Sequence, residues 1–427
     1  MTTKTRSYLE ERFARGQGDI VGLVQEMVRI PSENPPGDTT KIMDYVTQYL
    51  DVCGEDYEIL APQSTMPNLI ASFDCGEPGK HLVLNGHLDV FPAGPASSWS
   101  DEPFSGNVQG GKLFGRGVAD MKVGTAASIL TYIYLSELRQ HLRGRLTLTA
   151  VSDEETFGPW GARFLVEHRP DVLGDCVLNG EPSTPSSVRF GEKGILWLEM
   201  LVATKGGHGG YPQMSPSAIK ETSTLLGELD ELAAIEAEMP HEVLERVEES
   251  REAFDARFGT GSTDNLKRVT VNAGLIEGGT KVNMIAAYCR TEIDIRCPVG
   301  MPTEFALRRF EEILQRHGGT SYKILNRTEP NYCDPDHEMV RIVQHNAQHV
   351  CGMRPSPGIG LGATDCRLWR LKGVPAIVYG PTPYNMGSCD EHVTLDDLFA
   401  TVRVHVLSSL DYLSASPSHD QRFDDGG

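Results

Sequence analysis

The stretch Leu82-Val83-Leu84-Asn85-Gly86-His87-Leu88-Asp89-Val90 does most to limit what this chain can become. Its consecutive apolar residues read as a strand buried on both faces, the pattern of a parallel sheet covered by helices. Gly-His-x-Asp follows where that strand would end, and open α/β sheets collect ligands at that edge. An imidazole that binds a cation needs a partner to fix its tautomer, and a carboxylate two residues on can serve. His87 is therefore a candidate metal ligand and Asp89 its orienting acid. Alone, the pair would be ordinary turn chemistry.

Three other stretches change that reading. Arg145–Val151 alternates around Leu146, Leu148 and Ala150 and releases Ser152-Asp153-Glu154-Glu155. Asp175–Leu178 ends in Gly180-Glu181-Pro182-Ser183. The glycine-rich Gly115-Arg116-Gly117-Val118-Ala119-Asp120-Met121-Lys122 precedes an apolar helical stretch, Gly124 to Arg139. Each acid has a plain explanation: a helix cap for Asp120, a solvated turn for Glu154 and Glu155, a helix-dipole partner for Glu181. Together they bring one histidine and several carboxylates to strand ends of one sheet. Mixed N/O ligation with an open position suits Zn, Mn or Co. Neighbouring side chains point in different directions, so Glu154 and Glu155 divide the work. One binds metal and the other faces the attacking water as general base.

At 427 residues the chain exceeds one ordinary core, and more than one domain is expected. The N-terminal segments read as helix (Ser7 to Ile30, then Thr40–Cys53), short strands (Tyr57–Leu60, Asn68–Phe73) and a hairpin within Phe104 to Phe114. The character changes near Gly191. Strands at Ile195–Thr204, Arg268–Ile276, Ala286–Arg296 and Tyr322–Leu325, with helices at Ser215–Ala234 and Thr303–His317, give the order βαββαβ of a small ferredoxin-like unit. A charged helical stretch, Ile235–Thr263, interrupts it. From about Glu329 the α/β pattern resumes with Met339–Cys351, Ala376–Tyr379 and Leu395–Ser414, and the polar tail Ala415–Gly427 is expected to fray. The expected division is 1–190 and 329–427 for an α/β catalytic domain and 191–328 for the insert.

A formal net charge of −20 with no block of Lys or Arg repels polyanions, which argues against nucleic acid and acidic membranes as partners. Nine cysteines without a CxxC pair suggest reduced thiols. The charged start, Met1 to Gln17, has no apolar signal core, and no run approaches membrane-spanning length. A cytoplasmic protein acting on a small molecule is expected.

Gly-His-x-Asp, Gly-x-x-Asp-Met-Lys, Asp-Glu-Glu and Gly-Glu-Pro-Ser, in this order, resemble the co-catalytic metallohydrolase family of acetylornithine deacetylase, succinyl-diaminopimelate desuccinylase, aminoacylase and glutamate carboxypeptidase. The resemblance covers nearly the whole chain. It implies a zinc-peptidase-like αβα catalytic domain with an inserted lid and dimerisation domain, and hence a homodimer or higher homo-oligomer. It implies His87, Asp120 and Glu181 around one metal, Asp120 shared, and Glu155 on the side of a second. Glu154 is then the base and Asp89 the orienter of His87, with a cis peptide after Asp120. In the insert, Gly207-His208-Gly209-Gly210, Val282-Asn283-Met284-Ile285 and Asp294-Ile295-Arg296 match substrate-binding residues of the family: the resemblance implies that His208 polarises the scissile carbonyl from the neighbouring subunit and that Asn283 and Arg296 hold the substrate. A guanidinium fork suits a substrate carboxylate.

Two departures shape the functional expectation. The family's second-metal histidine falls at Gly387 in Gly387-Ser388-Cys389-Asp390-Glu391-His392, with His392 at the expected start of the terminal helix and Cys389 as possible substitutes. One metal per chain is therefore the preferred reading. Glu192 stands where desuccinylase relatives have Arg, which disfavours an anionic acyl arm. The expected activity is hydrolysis of a C–N bond in a small carboxylate-bearing substrate. Within the family these departures resemble a member that hydrolytically deaminates 5-nitroanthranilate to 5-nitrosalicylate, so the resemblance implies that reaction or, alternatively, N-acyl amino acid or dipeptide cleavage. A non-catalytic carboxylate or peptide binder would have lost Glu154 or Asp120, and both are present.

Overall fold

The computed structural model describes residues 2–414, and the tail Ala415–Gly427 lies outside them. The chain packs as two compact units. The first contains the chain up to Phe190, Cys333–Pro357 and the chain from Thr364 on; the second contains Gly191–Tyr332 and Gly358–Ala363.

In the first unit the strands lie in the order Glu58–Gln63, Met66–Asp74, Arg143–Val151, Glu77–His87, Cys176–Asn179, Ala376–Val378. Glu77–His87 runs parallel to both of its neighbours, and Ala376–Val378 runs parallel to Cys176–Asn179. Both faces are covered. Val83, Val151 and Val177 pack with the helices Ala162–His168 and Cys366–Arg370 through Leu165, Val166, Cys366 and Trp369. The opposite face meets Val123–Ser136, every residue of which is buried, and Leu395–Ser414. A helix apolar on all sides has no solvent face to offer, so it becomes the middle of the layer. This is the expected αβα arrangement.

The second unit carries a four-stranded antiparallel sheet, Thr270–Gly278, Tyr288–Cys297, Gly194–Ala203, Thr320–Thr328. Alternation places Leu196, Leu198, Met200 and Val202 with Ile293 and Ile295 in one core beneath Leu225 and Phe310 of the helices Ala218–Glu228 and Thr303–Leu314. The βαββαβ order is present.

Several elements depart from expectation for local reasons. The stretch Ile235–Thr263 is broken: Pro240 precedes the helix His241–Glu249, and Gly259 (φ 103°) ends Arg251–Phe258. Ser215–Ala234 begins only at Ala218, after Pro216, and helix Ala218–Glu228 gives way to the separate Asp230–Ala233. His392 does not open the terminal helix. It lies in the short strand His392–Thr394, paired antiparallel with Lys112–Phe114, and the helix starts at Leu395. Ser356–Gly360 and Cys366–Arg370 went unread, one because Pro and Gly disguise a strand, the other because five residues show no helical period.

One close approach ties helix to site. A Cβ on Gly124 would lie 2.1 Å from the Gly180 carbonyl oxygen, and one on Gly180 would lie 2.3 Å from Gly124 Cα. Replacing Gly124 by Ala is expected to cost about 1–3 kcal/mol through overpacking. It should appear as a lower urea midpoint at unchanged m-value, with weaker metal binding because Gly180 precedes Glu181.

Candidate metal centre

Parallel pairing delivers the ligands. His87 lies opposite Val151 and Asn85 opposite Asn179, so three strands end level at one edge. At that edge stand His87, the turn Ser152–Glu155, and Gly180-Glu181. Buried amides set the last turn: Asn179 Nδ2 donates to Asn85 Oδ1 at 2.9 Å, and Asn179 Oδ1 accepts the Glu181 N–H at 2.7 Å.

Asp120 arrives on an irregular stretch. Gly117 takes a left-handed φ of 79°, and the Asp120–Met121 peptide is cis. Glu391 braces this stretch. Its carboxylate pairs with Arg116 at 2.5 Å and accepts the Ala119 N–H at 3.0 Å, with both side chains buried. Burial raises the Glu391 pKa while Arg116 opposes the rise.

His87 Nε2 lies 3.1 Å from Asp120 Oδ1 and 3.3 Å from Glu181 Oε1. One donor atom from each residue falls within 4.8 Å of the other two, the one group of three or more metal-ligating side chains among the described residues to converge so. Burial works against a charge on His87, but hydrogen bonds to Asp120 and Glu181 and the charges of Glu181 and Asp89 outweigh it. They hold the imidazole well above its ordinary value. Burial and the Asp120 charge push Glu181 from 4.5 to about 8. Buried carboxylates around one imidazole nitrogen leave an excess of negative charge that a divalent cation would neutralise, so the donor set fits a borderline metal.

Asp89 orients His87 differently from expectation. Nδ1–H donates to the Asp89 backbone carbonyl at 2.9 Å, leaving Nε2 for a cation, whereas the Asp89 carboxylate is 3.6 Å away. That carboxylate accepts from Glu154 N at 3.2 Å, Glu155 N at 3.0 Å and Asn34 Nδ2 at 2.9 Å. Its hydrogen bonds thus set the turn that carries Glu154 and Glu155. Asn34 also donates to Asp153 Oδ1 at 3.2 Å, holding two acids with one amide.

Glu154 is buried, and its Oε1 accepts from Arg367 Nη1 at 2.9 Å. Burial raises its pKa well above the carboxylate range while Arg367 pulls it down. Glu155 has a buried Oε1 without a hydrogen-bond partner, and burial and the Asp120 charge push its pKa well up. Asp120 and Glu155 gain no third partner from the expected substitutes. Gly387 sits in an exposed turn at φ 73°. His392 is stacked on Tyr384 with ring centroids 5.0 Å apart and bonded through Nδ1 to the Asp390 carbonyl at 2.9 Å. Cys389 is half-buried and joins no cluster among the described residues.

In the second unit His208 and Asn283 are neighbours: Gly209 N donates to the Asn283 carbonyl at 2.8 Å. His208 Nδ1 accepts the Gly210 N–H at 3.0 Å, so the neutral ring carries its proton on Nε2. Arg296 is bound to Asp294 through Nε at 2.8 Å, and its buried Nη1 has no hydrogen-bond partner.

The sequence reading missed Asn34, Arg367 and the Arg116–Glu391 brace. Asn34 sits among turn residues that already explain it, and Arg367 lies 213 positions from Glu154. No local pattern links such pairs.

The model for Peptidase family M20/M25/M40 matches residues 83–409. The chain belongs to this family. A succinyl-diaminopimelate desuccinylase of Xanthomonas campestris is 28% identical over 340 residues, covering 78% of this chain and 83% of the relative. An M20 family metallo-carboxypeptidase from Sulfolobus solfataricus shares the fold with a TM-score of 0.78 at 17% identity, covering 92% of this chain and 99% of that one. Human carnosine dipeptidase 1 does so with a TM-score of 0.74 at 17% identity, covering 97% and 100%. Like the family, this M20 protein is a metal-dependent hydrolase of C–N bonds.

The pKa shifts give a sign to metal-linked stability. Without a cation, folded Glu181 keeps its proton to about pH 8 while the unfolded chain releases it near 4.5, so folded stability falls as pH rises through that window. His87 acts in the same direction, since its folded value is also raised. At a fixed zinc concentration the stability gap between zinc-loaded and chelated protein, read from melting temperatures, should therefore widen from pH 5 to 8 as Kd falls; a free zinc of a hundred times Kd corresponds to about 2.7 kcal/mol. A gap that narrows with rising pH would contradict this assignment.

Proposed function

We propose that this M20 protein hydrolyses the amide bond of a small N-acyl amino acid or dipeptide bearing a free carboxylate, with one tightly held divalent ion (Zn, Mn or Co) per chain. The observation that carries the proposal is the pairing of His87, Asp120 and Glu181 with a separate buried acid, Glu154, that ligation does not require. A bound divalent cation supplies Lewis acidity, activating water and polarising a carbonyl.

The chain's own residues do the rest. Glu154 accepts a proton from the attacking water and returns it to the leaving nitrogen, so the carbonyl carbon gains oxygen as the C–N bond breaks. Asp89 fixes His87 through its carbonyl and the Glu154–Glu155 turn through its carboxylate. His208 offers Nε2–H to a carbonyl oxygen, Arg296 keeps Nη1 for a carboxylate, and Asn283 flanks His208; these support a substrate-binding role for all three. Asp120 and Glu155 supply carboxylates alone to any second ion, so we assign such an ion weaker binding. Glu192 is buried with Asn331 Nδ2 at 3.4 Å and offers no cation to an anionic acyl arm, which favours neutral acyl groups.

We favour amide cleavage over deamination of 5-nitroanthranilate because the relative and neighbours named above are a desuccinylase, a carboxypeptidase and a dipeptidase. A homodimer through the inserted unit is part of the proposal. So is a cytoplasmic setting, which suits nine cysteines that form no disulfide. No helix among the described residues is long and apolar enough to cross a membrane.

Metal-loaded protein should turn over neutral N-acyl amino acids or dipeptides, release no ammonia from 5-nitroanthranilate, and lose about 10³-fold in kcat as Glu154→Gln with metal retained. Ammonia release without acyl hydrolysis would replace this substrate class. Full activity in Glu154→Gln would remove the base assignment.

A further inference from the structure

Glu154 must present one carboxylate oxygen to a proton, and a carboxylate free to rotate about its last torsion would do so only part of the time. The fold supplies a restraint. Arg367 Nη1 donates to Glu154 Oε1 at 2.9 Å, with the arginine side chain 2% exposed and the glutamate 6%. Arg367 itself is held by its own helix turn and by an aromatic ring. Its backbone N–H reaches the Thr364 carbonyl at 3.2 Å, and Thr364 Oγ1 accepts the Cys366 N–H at 3.2 Å, pinning the first turn of Cys366–Arg370. The ring of Phe157 lies 4.5 Å from the guanidinium carbon.

Phe157 is the telling residue. Its φ is 52°, a left-handed conformation that a bulky side chain seldom adopts, and its N–H closes a turn onto the Glu154 carbonyl at 2.7 Å. Asp153, on the other side of Glu154, is left-handed as well (φ 66°). The turn therefore accepts backbone strain twice and thereby sets both the acid and the aromatic ring against one guanidinium. Strain that brings three side chains together at a chemical site suggests a constraint beyond packing.

We propose that Arg367 is a positioning residue for the general base: it holds Oε1 of Glu154 so that Oε2 is left for the proton, with Phe157 fixing the guanidinium plane. This rests on the reading of Glu154 as base. A planar fork suits the task better than a lysine, whose ammonium would satisfy the charge without fixing the carboxylate plane.

The test compares zinc-loaded wild type, Arg367→Ala, Arg367→Lys, Phe157→Leu and Glu154→Gln on the amide substrate that wild type turns over, with zinc content measured for each. Arg367→Ala should lose about 10²-fold in kcat at nearly unchanged KM and full zinc content. Arg367→Lys should recover part of the loss, and added guanidinium ion should partly rescue Arg367→Ala but not Glu154→Gln. Phe157→Leu keeps both charges and should lower kcat several-fold, so it carries the test if the arginine variants do not fold. A crystal structure of zinc-loaded Arg367→Lys, a readout independent of turnover, should show the Glu154 carboxylate rotated or in two orientations. Wild-type kcat in the Arg367 variants beside an inactive Glu154→Gln would overturn the proposal and spare the base. A rise in KM alone, loss of zinc, or an unmoved Glu154 carboxylate would overturn it too. An active Glu154→Gln would instead remove the reading beneath it.

Discussion

Too much negative charge in too little water is the constraint on which the rest of this structure depends. Asp89, Asp120, Glu154, Glu155 and Glu181 gather about His87 at one sheet edge, where burial raises the cost of ionising Glu154, Glu155 and Glu181. Three compensations meet that cost. Backbone N–H groups and Asn34 serve Asp89, Arg367 serves Glu154, and the converging donors of His87, Asp120 and Glu181 are left for a cation. Asp120 and Glu181 share one imidazole nitrogen, whereas Glu154 has a guanidinium of its own. That difference underlies the division between ligands and base.

Placement follows from topology more than from any local motif. Parallel strands end at the same edge, so residues as far apart in sequence as His87 and Val151 or Asn85 and Asn179 meet there, and the helix Val123–Ser136 can press against Gly180 because neither Gly124 nor Gly180 has a side chain. The support around Asp120 is of another kind. The Arg116–Glu391 pair is buried and isolates the irregular stretch from solvent, while the partner acid comes from beyond the inserted unit. The centre is thus complete only when the segments of the first unit on either side of the second have folded together.

Much of this was legible in the sequence. The apolar runs at Leu82–Leu84 and around Leu146–Ala150 gave away parallel strands, and acids at their ends marked the edge. The βαββαβ order was legible because the two central strands of the second unit, Gly194–Ala203 and Tyr288–Cys297, alternate over a single core. What escaped were interactions between distant residues with weak local signals. Arg367 sits in a helix too short for a period, and Asn34 is lost among prolines that explain the turn by themselves. The Asp89 carboxylate was read as the partner of His87, but the backbone carbonyl two residues on is the nearer acceptor, and side-chain spacing cannot reveal a backbone acceptor. His392 lies next to the terminal helix in sequence, but its pairing with Phe114 places it in a strand that ends before the helix starts at Leu395.

The central claim is that His87, Asp120 and Glu181 form the tight cation site. Anomalous diffraction at the zinc edge, from crystals of protein loaded with one equivalent of zinc per chain, tests it most directly. A single strong peak is expected within ligand distance of His87 Nε2 and the Asp120 and Glu181 carboxylates. A peak elsewhere, or two peaks of equal occupancy sharing Asp120 with Glu155, would contradict it.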